Sequence, residues 1–244
     1  MYKTDVRVPL ITPREKDGIR PFVQILNAII VFCSLAVTLI VLVQNSIYYQ
    51  SFKAVTTTFI VMIAFIRSTS SKITSKWYQN SIIVGLLFGL IGDIFLVHNL
   101  PIFFIMGMFA FLVGHLFFAT AFMEFKFSVS WSFVTVMAVL DFIYLVTVVR
   151  HAPLPLRIGA SCYTVVISIM VITSFQRFLL LKGSEMKKTL HIYYGFIGTV
   201  FFMFSDLMLG SYVFHPSLAE YKLVLQVIAL IFYWIGQFLI ACSL

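Results

Sequence analysis

The sequence predicts an all-α, polytopic membrane protein, a single bundle of about eight transmembrane helices. Of its 244 residues, 61% are hydrophobic and only 11% are charged, whereas a soluble domain carries about 45–50% apolar and about 25% charged residues. The apolar residues form long uncharged runs such as Phe22–Val43 and Ile158–Phe175. Because a spanning helix needs about 20 such residues to cross about 30 Å of hydrocarbon, these runs exclude a soluble fold.

The first four spans follow from apolar runs and their flanking residues. A basic arm precedes the first run, which is too long for a cleavable signal peptide. The clean apolar part of the second, Ala54–Ile66, is short, so this span must extend back through Tyr48 and Tyr49, which suit a membrane interface. Pro101 marks the tight connection before the fourth span, where a missing amide donor does little harm. These spans are predicted at residues 22–43, 46–66, 80–98 and 101–123.

The last four spans are indicated in the same way. Uncharged runs at Phe127–Leu140, Ile158–Phe175 and Leu190–Ser205 identify three of them, and the last apolar stretch follows Lys222. The predicted limits are residues 129–149, 157–176, 190–214 and 222–243. The chain therefore divides into an N-terminal arm, residues 1–21, and a transmembrane domain, residues 22–244, with no loop long enough for a soluble catalytic domain.

The basic residues are explained by membrane topology and not by nucleic-acid binding. With the N-terminus placed in the cytoplasm, all of the 17 Lys and Arg residues except Lys53, Arg150, Arg157 and Lys222 fall on cytoplasmic segments. This bias predicts that both termini are cytoplasmic. The membrane would be the endoplasmic reticulum in a eukaryote and the inner membrane in a bacterium. The oligomeric state is left open.

The cysteines give no sign of a disulfide framework or of a metal site. Cys33, Cys162 and Cys242 all lie inside apolar runs, and their number is odd with no close spacing. We therefore expect no cofactor and no bound metal.

Four ionisable residues fall deep inside predicted spans: Asp93, His115, Asp141 and Asp206. A charged group at mid-membrane costs about 2.5–3.5 kcal/mol even on the lenient insertion scale, so an intramembrane acid is a functional candidate. The competing explanation is an interhelical hydrogen bond, which contributes only about 0.6 kcal/mol on average. For Asp141 a cavity wall and a structural partner are equally good interpretations.

Asp93 and Asp206 are the best candidates for a functional pair. Both lie on spans that run in the same direction, at about 20 and 24 Å from the inner end, at 1.5 Å per residue. Gly85 and Gly89 lie on the same helical stripe as Asp93, and small residues at this spacing let helices approach closely. This turns Asp93 toward protein instead of lipid.

An internal similarity indicates two four-helix repeats. Leu90–Leu96 resembles Met203–Leu209, with an Asp at the same place in each, and Phe111–Ala119 resembles Tyr233–Ala241 in the following span. The paired spans have matching orientations, as in parallel repeats related by an axis along the membrane normal. If the duplication is real, both Asp residues belong to one central site.

These segments resemble the YhhN-like family of membrane lysoplasmalogenases. The similarity runs in order from about Lys53 to the C-terminus and is carried by the segments Gly85–Leu96, Gly107–His115, Gly198–Leu207 and Tyr233–Ile240. The resemblance implies cleavage of the alkenyl (vinyl) ether bond of a lysoplasmalogen. The products would be a fatty aldehyde and a glycerophospho-ethanolamine or -choline.

The residues suit acid–base chemistry on such a bond. An alkenyl ether is cleaved by protonation of its outer carbon, addition of water to the resulting oxocarbenium ion, and collapse of a hemiacetal. Burial favours the protonated form of a carboxylic acid, and paired carboxyls that share one proton can divide such work. The hypothesis assigns Asp93 and Asp206 as the catalytic pair, without choosing the acid.

Five further residues are expected to support the pair. Ser205, His115, Tyr233 and Gln237 would hold water or the ether oxygen by hydrogen bonds. Lys53, expected at the outer rim, could bind the substrate phosphate, although the simpler interpretation is that it extends its amine to the interface. The expected partners are thus a lysophospholipid and the bilayer.

Three alternatives stay open. A membrane zinc hydrolase would need about three protein ligands, and only one deep histidine is present. A lipid transporter also uses buried acids and repeated halves. A family member that only binds lysolipid is kept open by two departures from the family pattern, since Ala54 follows Lys53 where Pro is common and Phe118 replaces a frequent Tyr. Trp234 also replaces a frequent Tyr.

Overall fold

The described part of the chain is a bundle of eight α-helices. The computed structural model describes residues 19–43, 48–70, 74–98, 100–123, 130–182 and 191–244. The helices are α1 (Ile19–Val43), α2 (Tyr49–Ser70), α3 (Lys76–Leu96), α4 (Pro101–Phe122), α5 (Trp131–Thr147), α6 (Leu154–Lys182), α7 (His191–Phe214) and α8 (Lys222–Cys242). Residues 1–18 of the predicted arm, and several basic loop residues used for the orientation, lie outside the described residues.

Seven of these helices are long and apolar enough to cross a membrane, which confirms a multi-pass protein. They are α2 to α8, while α1 contributes a shorter apolar segment, Ala28–Leu42, among the residues described. Exposed apolar side chains such as Trp131 and Phe142 on α5 face outward, as expected where lipid is the solvent. The bundle predicted from hydropathy is therefore the fold observed.

The largest difference from the predicted limits is in α6, which was expected at residues 157–176. Its first turn contains Pro155, which is tolerated there because that amide has no partner within the helix. At the other end Arg177 is buried and lies over the ring of Tyr78, 4.1 Å from its centroid. The helix therefore continues past Phe175, where the uncharged run ends, because Arg177 is packed within the bundle.

The bundle contains two tightly packed hairpins, α3–α4 and α7–α8, which make the most extensive helix contacts. In the first, a Cβ on Gly114 would meet the carbonyl oxygen of Gly85 at 2.9 Å. In the second, a Cβ on Gly198 would meet the carbonyl oxygen of Gly236 at 2.9 Å. Gly85 and Gly198 each precede an Asp by eight residues. The two hairpins thus cross in the same way, which supports the proposed internal repeat.

Each end of the bundle is identified by a lysine that lies there, Lys222 at one end and Lys76 at the other. The Lys222 end contains the connections α3–α4, α5–α6 and α7–α8, and the Lys76 end contains the connections α2–α3, α4–α5 and α6–α7. Helix α5 lies at the edge and packs mainly on α6. Its separation from α7 leaves room for a cavity.

Candidate active site within the bundle

A cavity of about 720 Å³ opens inside the bundle, with residues of α2 to α8 in its walls. Its volume lies within the range of about 300–1,000 Å³ typical of sites for small molecules. Apolar side chains such as Met108, Phe111 and Leu230 make much of its wall. Lys53, Asp141 and Asp206 add charge to it. An apolar cavity with few ionisable groups suits an amphiphilic ligand.

Asp93 is fully buried beside this cavity and does not line it. The Lys53 amine lies 2.8 Å from its Oδ1. The hydroxyls of Thr57 and Tyr233 donate to its Oδ2, at 2.5 and 2.7 Å. All three neighbours are donors, so the surroundings of Asp93 suit a carboxylate that accepts hydrogen bonds.

Lys53 does not lie at the rim, where sequence reasoning put it. Its side chain is 9% exposed, and its amine lies 4.3 Å from the centroid of the Tyr233 ring in addition to the contact with Asp93. A buried ammonium requires a partner, and Asp93 on the neighbouring helix supplies it. The amine is therefore paired with a carboxylate within the bundle, while Lys53 also lines the cavity.

Asp206 has a different environment, because its carboxyl reaches the cavity. Its side chain is 13% exposed. The Tyr163 hydroxyl donates to Oδ2 at 3.1 Å, and the Nε2 of His115 lies 3.3 Å from the same oxygen. His115 and Tyr163 are also in contact with each other, at 3.0 Å. The other oxygen, Oδ1, has no hydrogen bond to a described residue and is available to a ligand.

The two carboxyls belong to one region but are not hydrogen-bonded to each other. Phe202 lies between the two clusters, with its ring centroid 4.7 Å from that of His115 and 5.3 Å from that of Tyr233. Asp93 of α3 is held by α2 and α8, and Asp206 of α7 is held by α4 and α6. Each hairpin thus supports the acid of the other, so the site needs both.

Of the remaining residues predicted to support the site, some line the cavity and others do not. Ser205 is buried and lines the cavity next to Asp206, and Tyr233 lines it as well. Gln237 is fully buried against Gly89 and does not line the cavity, and its amide has no partner among the described residues. His115 does not line the cavity, but it contacts the lining residues Asp206 and Tyr163.

Sequence reasoning missed Tyr163 and Thr57. Thr57 follows Lys53 by four residues, so the two share a face of α2, and this spacing was the available signal. Tyr163 had no comparable signal, because it is an isolated tyrosine in the middle of an apolar span. Phe118 and Trp234, which stand where the family pattern has tyrosines, do not line the cavity.

Asp141 also lines the cavity, and it accepts a hydrogen bond from Ser168 at 2.7 Å. Asp141 is therefore both a wall residue of the cavity and a hydrogen-bond partner of α6.

The acids Asp93 and Asp206 each lie in a cluster of hydrogen-bonding side chains. Among the described residues no group of three or more His, Cys, Asp or Glu side chains is placed to hold a metal ion. The groups that surround the cavity instead form two proton-bearing networks, one around each Asp.

Comparison with known proteins gives one family. No curated protein and no solved structure matches the chain. A sequence model of the YhhN family matches residues 48–244, which include both Asp clusters and every wall of the cavity. The chain is a multi-pass membrane protein that belongs to the YhhN family, a family that includes lysoplasmalogenases.

Proposed function

We propose that this protein hydrolyses the alkenyl ether bond of a lysoplasmalogen inside the membrane. The observation that carries the proposal is Asp206 itself, which lines an apolar cavity while its Oδ2 is held by Tyr163 and His115 and its Oδ1 has no hydrogen bond to a described residue. Membership of a family that includes lysoplasmalogenases supports the same reaction. The substrate would be drawn from the bilayer, and the products would be a fatty aldehyde and a glycerophospho-alcohol.

In the proposed first step, Asp206 is the acid. In its protonated form it gives the Oδ1 proton to the outer carbon of the alkenyl ether. The electron pair of the double bond forms the new C–H bond, and the ether oxygen shares the positive charge of the oxocarbenium ion. The ionised Asp206 then lies against this cation and stabilises it, as a carboxylate does in glycosidases.

In the second step, water adds to the carbon next to the ether oxygen. Asp206 accepts the proton that water loses, which restores the acid. The hemiacetal then breaks its C–O bond, and the hydroxyl proton moves to the leaving glycerol oxygen. One water is consumed, and one aldehyde and one alcohol are released, so the reaction needs no oxidant and no cofactor.

Asp93 is proposed as a positioning residue. It neutralises Lys53 and orients Tyr233, both of which line the cavity. An uncompensated ammonium beside the cavity would repel the oxocarbenium ion. Both acids therefore take part in the proposed reaction, Asp206 as the group that contacts the ligand and Asp93 as the residue that positions its neighbours.

The test is a side-by-side assay of two lipids with the purified protein. A lysoplasmalogen and its saturated alkyl-ether analogue differ only in the double bond, and only the first can accept a proton on carbon. We expect aldehyde release from the first and none from the second. Binding of both without cleavage of either would instead favour a lysolipid-binding protein or a transporter.

A further inference from the structure

With Lys53 neutralised by Asp93, the cavity needs another partner for an anionic head group. Three basic side chains line it: Lys53, His98 and Lys222. His98 packs on Phe103, with 4.6 Å between ring centroids. Lys222 is exposed and makes no ion pair or hydrogen bond with any residue in the described ranges. It is the lining lysine that is available to an anion.

Helix α8 connects Lys222 to the active site along one face. Lys222, Gln226, Leu230 and Tyr233 all line the cavity, at spacings of three and four residues. Such residues share a face of a helix. The first two residues of this series, Lys222 and Gln226, are polar, and the apolar Leu230 separates them from Tyr233. This order matches an amphiphile whose head group lies at the Lys222 end.

The dimensions agree with a lysophospholipid. Asp206 lies eight residues before the end of α7, which is about 12 Å along the helix axis. Seven bonds separate the phosphorus from the outer alkenyl carbon of a lysoplasmalogen, which is roughly 9 Å when extended. The flexible four-carbon side chain of lysine can cover the remaining few ångströms.

The charges nearby do not oppose this placement. Glu220 is exposed but does not line the cavity. Asp141, the other acidic lining residue besides Asp206, accepts a hydrogen bond from Ser168. No acidic residue of α8 lines the cavity beside Lys222.

We infer that Lys222 binds the phosphate of the substrate and so sets the depth at which the alkenyl ether meets Asp206. The inference rests on the proposed function for the identity of the ligand, but it makes a separate claim about recognition. Lysine binds phosphate as a point charge, and a charge-assisted hydrogen bond of this kind changes affinity by about tenfold or more.

The experiment measures the binding of two ligands that cannot be cleaved. One is a 1-O-hexadecyl lysophospholipid, which carries the phosphate, and the other is 1-O-hexadecylglycerol, which does not. Full-length protein is compared with Lys222→Gln and Lys222→Arg variants. Lys76→Gln serves as the control, because Lys76 is exposed at the other end of the bundle.

We expect Lys222→Gln to weaken binding of the phospholipid by about tenfold and to leave binding of hexadecylglycerol unchanged. The Arg variant and the Lys76 control should behave as the unmodified protein. Equal binding of the phospholipid by Lys222→Gln and the unmodified protein would overturn the inference, and so would an equal loss for both ligands.

The outcome can be separated from that of the proposed reaction. If the unmodified protein cleaves the lysoplasmalogen but Lys222→Gln binds the phospholipid normally, the reaction stands and the phosphate site falls. If no cleavage occurs but the selective loss is seen, the phosphate site stands and the reaction falls.

Discussion

The ion pair between Lys53 and Asp93 should be the strongest single polar link in the described bundle. Its atoms are 2.8 Å apart, and the side chains are 9% and 0% exposed. At an effective dielectric constant of about 20, this distance corresponds to an attraction of about 6 kcal/mol. Removing either partner leaves the other buried without its counter-charge, which costs about 3–5 kcal/mol of stability.

The perturbation is a double-mutant cycle with Lys53→Met, Asp93→Asn and the combined variant. Each single change should lower the apparent melting temperature in detergent by on the order of 10 °C. The combined variant removes both charges and keeps similar volumes, so it should be more stable than either single variant. Lys76→Met, in which an exposed lysine loses a hydrogen bond to Gln79, should shift stability by less than about 0.5 kcal/mol.

The assay is thermal unfolding followed by a change in solubility or fluorescence at fixed detergent concentration. A coupling energy of about 2 kcal/mol or more would support the pair. If the two single losses simply add in the combined variant, the side chains do not interact, and the account of Asp93 as the partner of Lys53 is refuted.

Further predictions concern packing and the site. Gly198→Ala should cost about 1–3 kcal/mol of stability, because the added Cβ would meet backbone at 2.9 Å. Gly159→Ala should be near neutral, because its added Cβ would meet only the mobile end of the Met108 side chain. Unfolding of both variants in detergent checks this contrast. Tyr163→Phe removes a donor to Asp206 and should lower turnover by about tenfold or more without weakening lipid binding. Equal losses of turnover and binding would contradict its assignment to Asp206.

The sequence was a sufficient guide to the membrane fold because hydrophobic length is a strong signal. The uncharged run Ile158–Phe175 lies within the spanning helix α6, and the small-residue stripe at Gly85 and Gly89 indicated close packing correctly. The ends of helices were harder, as α6 shows, because Arg177 is stabilised by Tyr78 from a distant segment. Helix propensity and hydropathy are local properties of the sequence and do not predict such long-range contacts.

The candidate site was only partly accessible from the sequence. The cost of intramembrane charge singled out Asp93, Asp206 and His115, which do gather around one region. The partner of each acid depends on how α2, α6 and α8 rotate, and hydropathy does not fix that rotation. Lys53 was misplaced for this reason, and Tyr163 gave no signal at all.

The most direct measurement of the central claim is aldehyde release from a lysoplasmalogen by Asp206→Asn, with Asp141→Asn as its matched control. Both acids lie in spanning helices and line the same cavity, but only Asp206 is proposed to protonate carbon. We predict that turnover falls by at least about 100-fold in Asp206→Asn, the scale of a lost general acid, and is largely kept in Asp141→Asn. Near-normal turnover in Asp206→Asn would contradict the proposed reaction at this site.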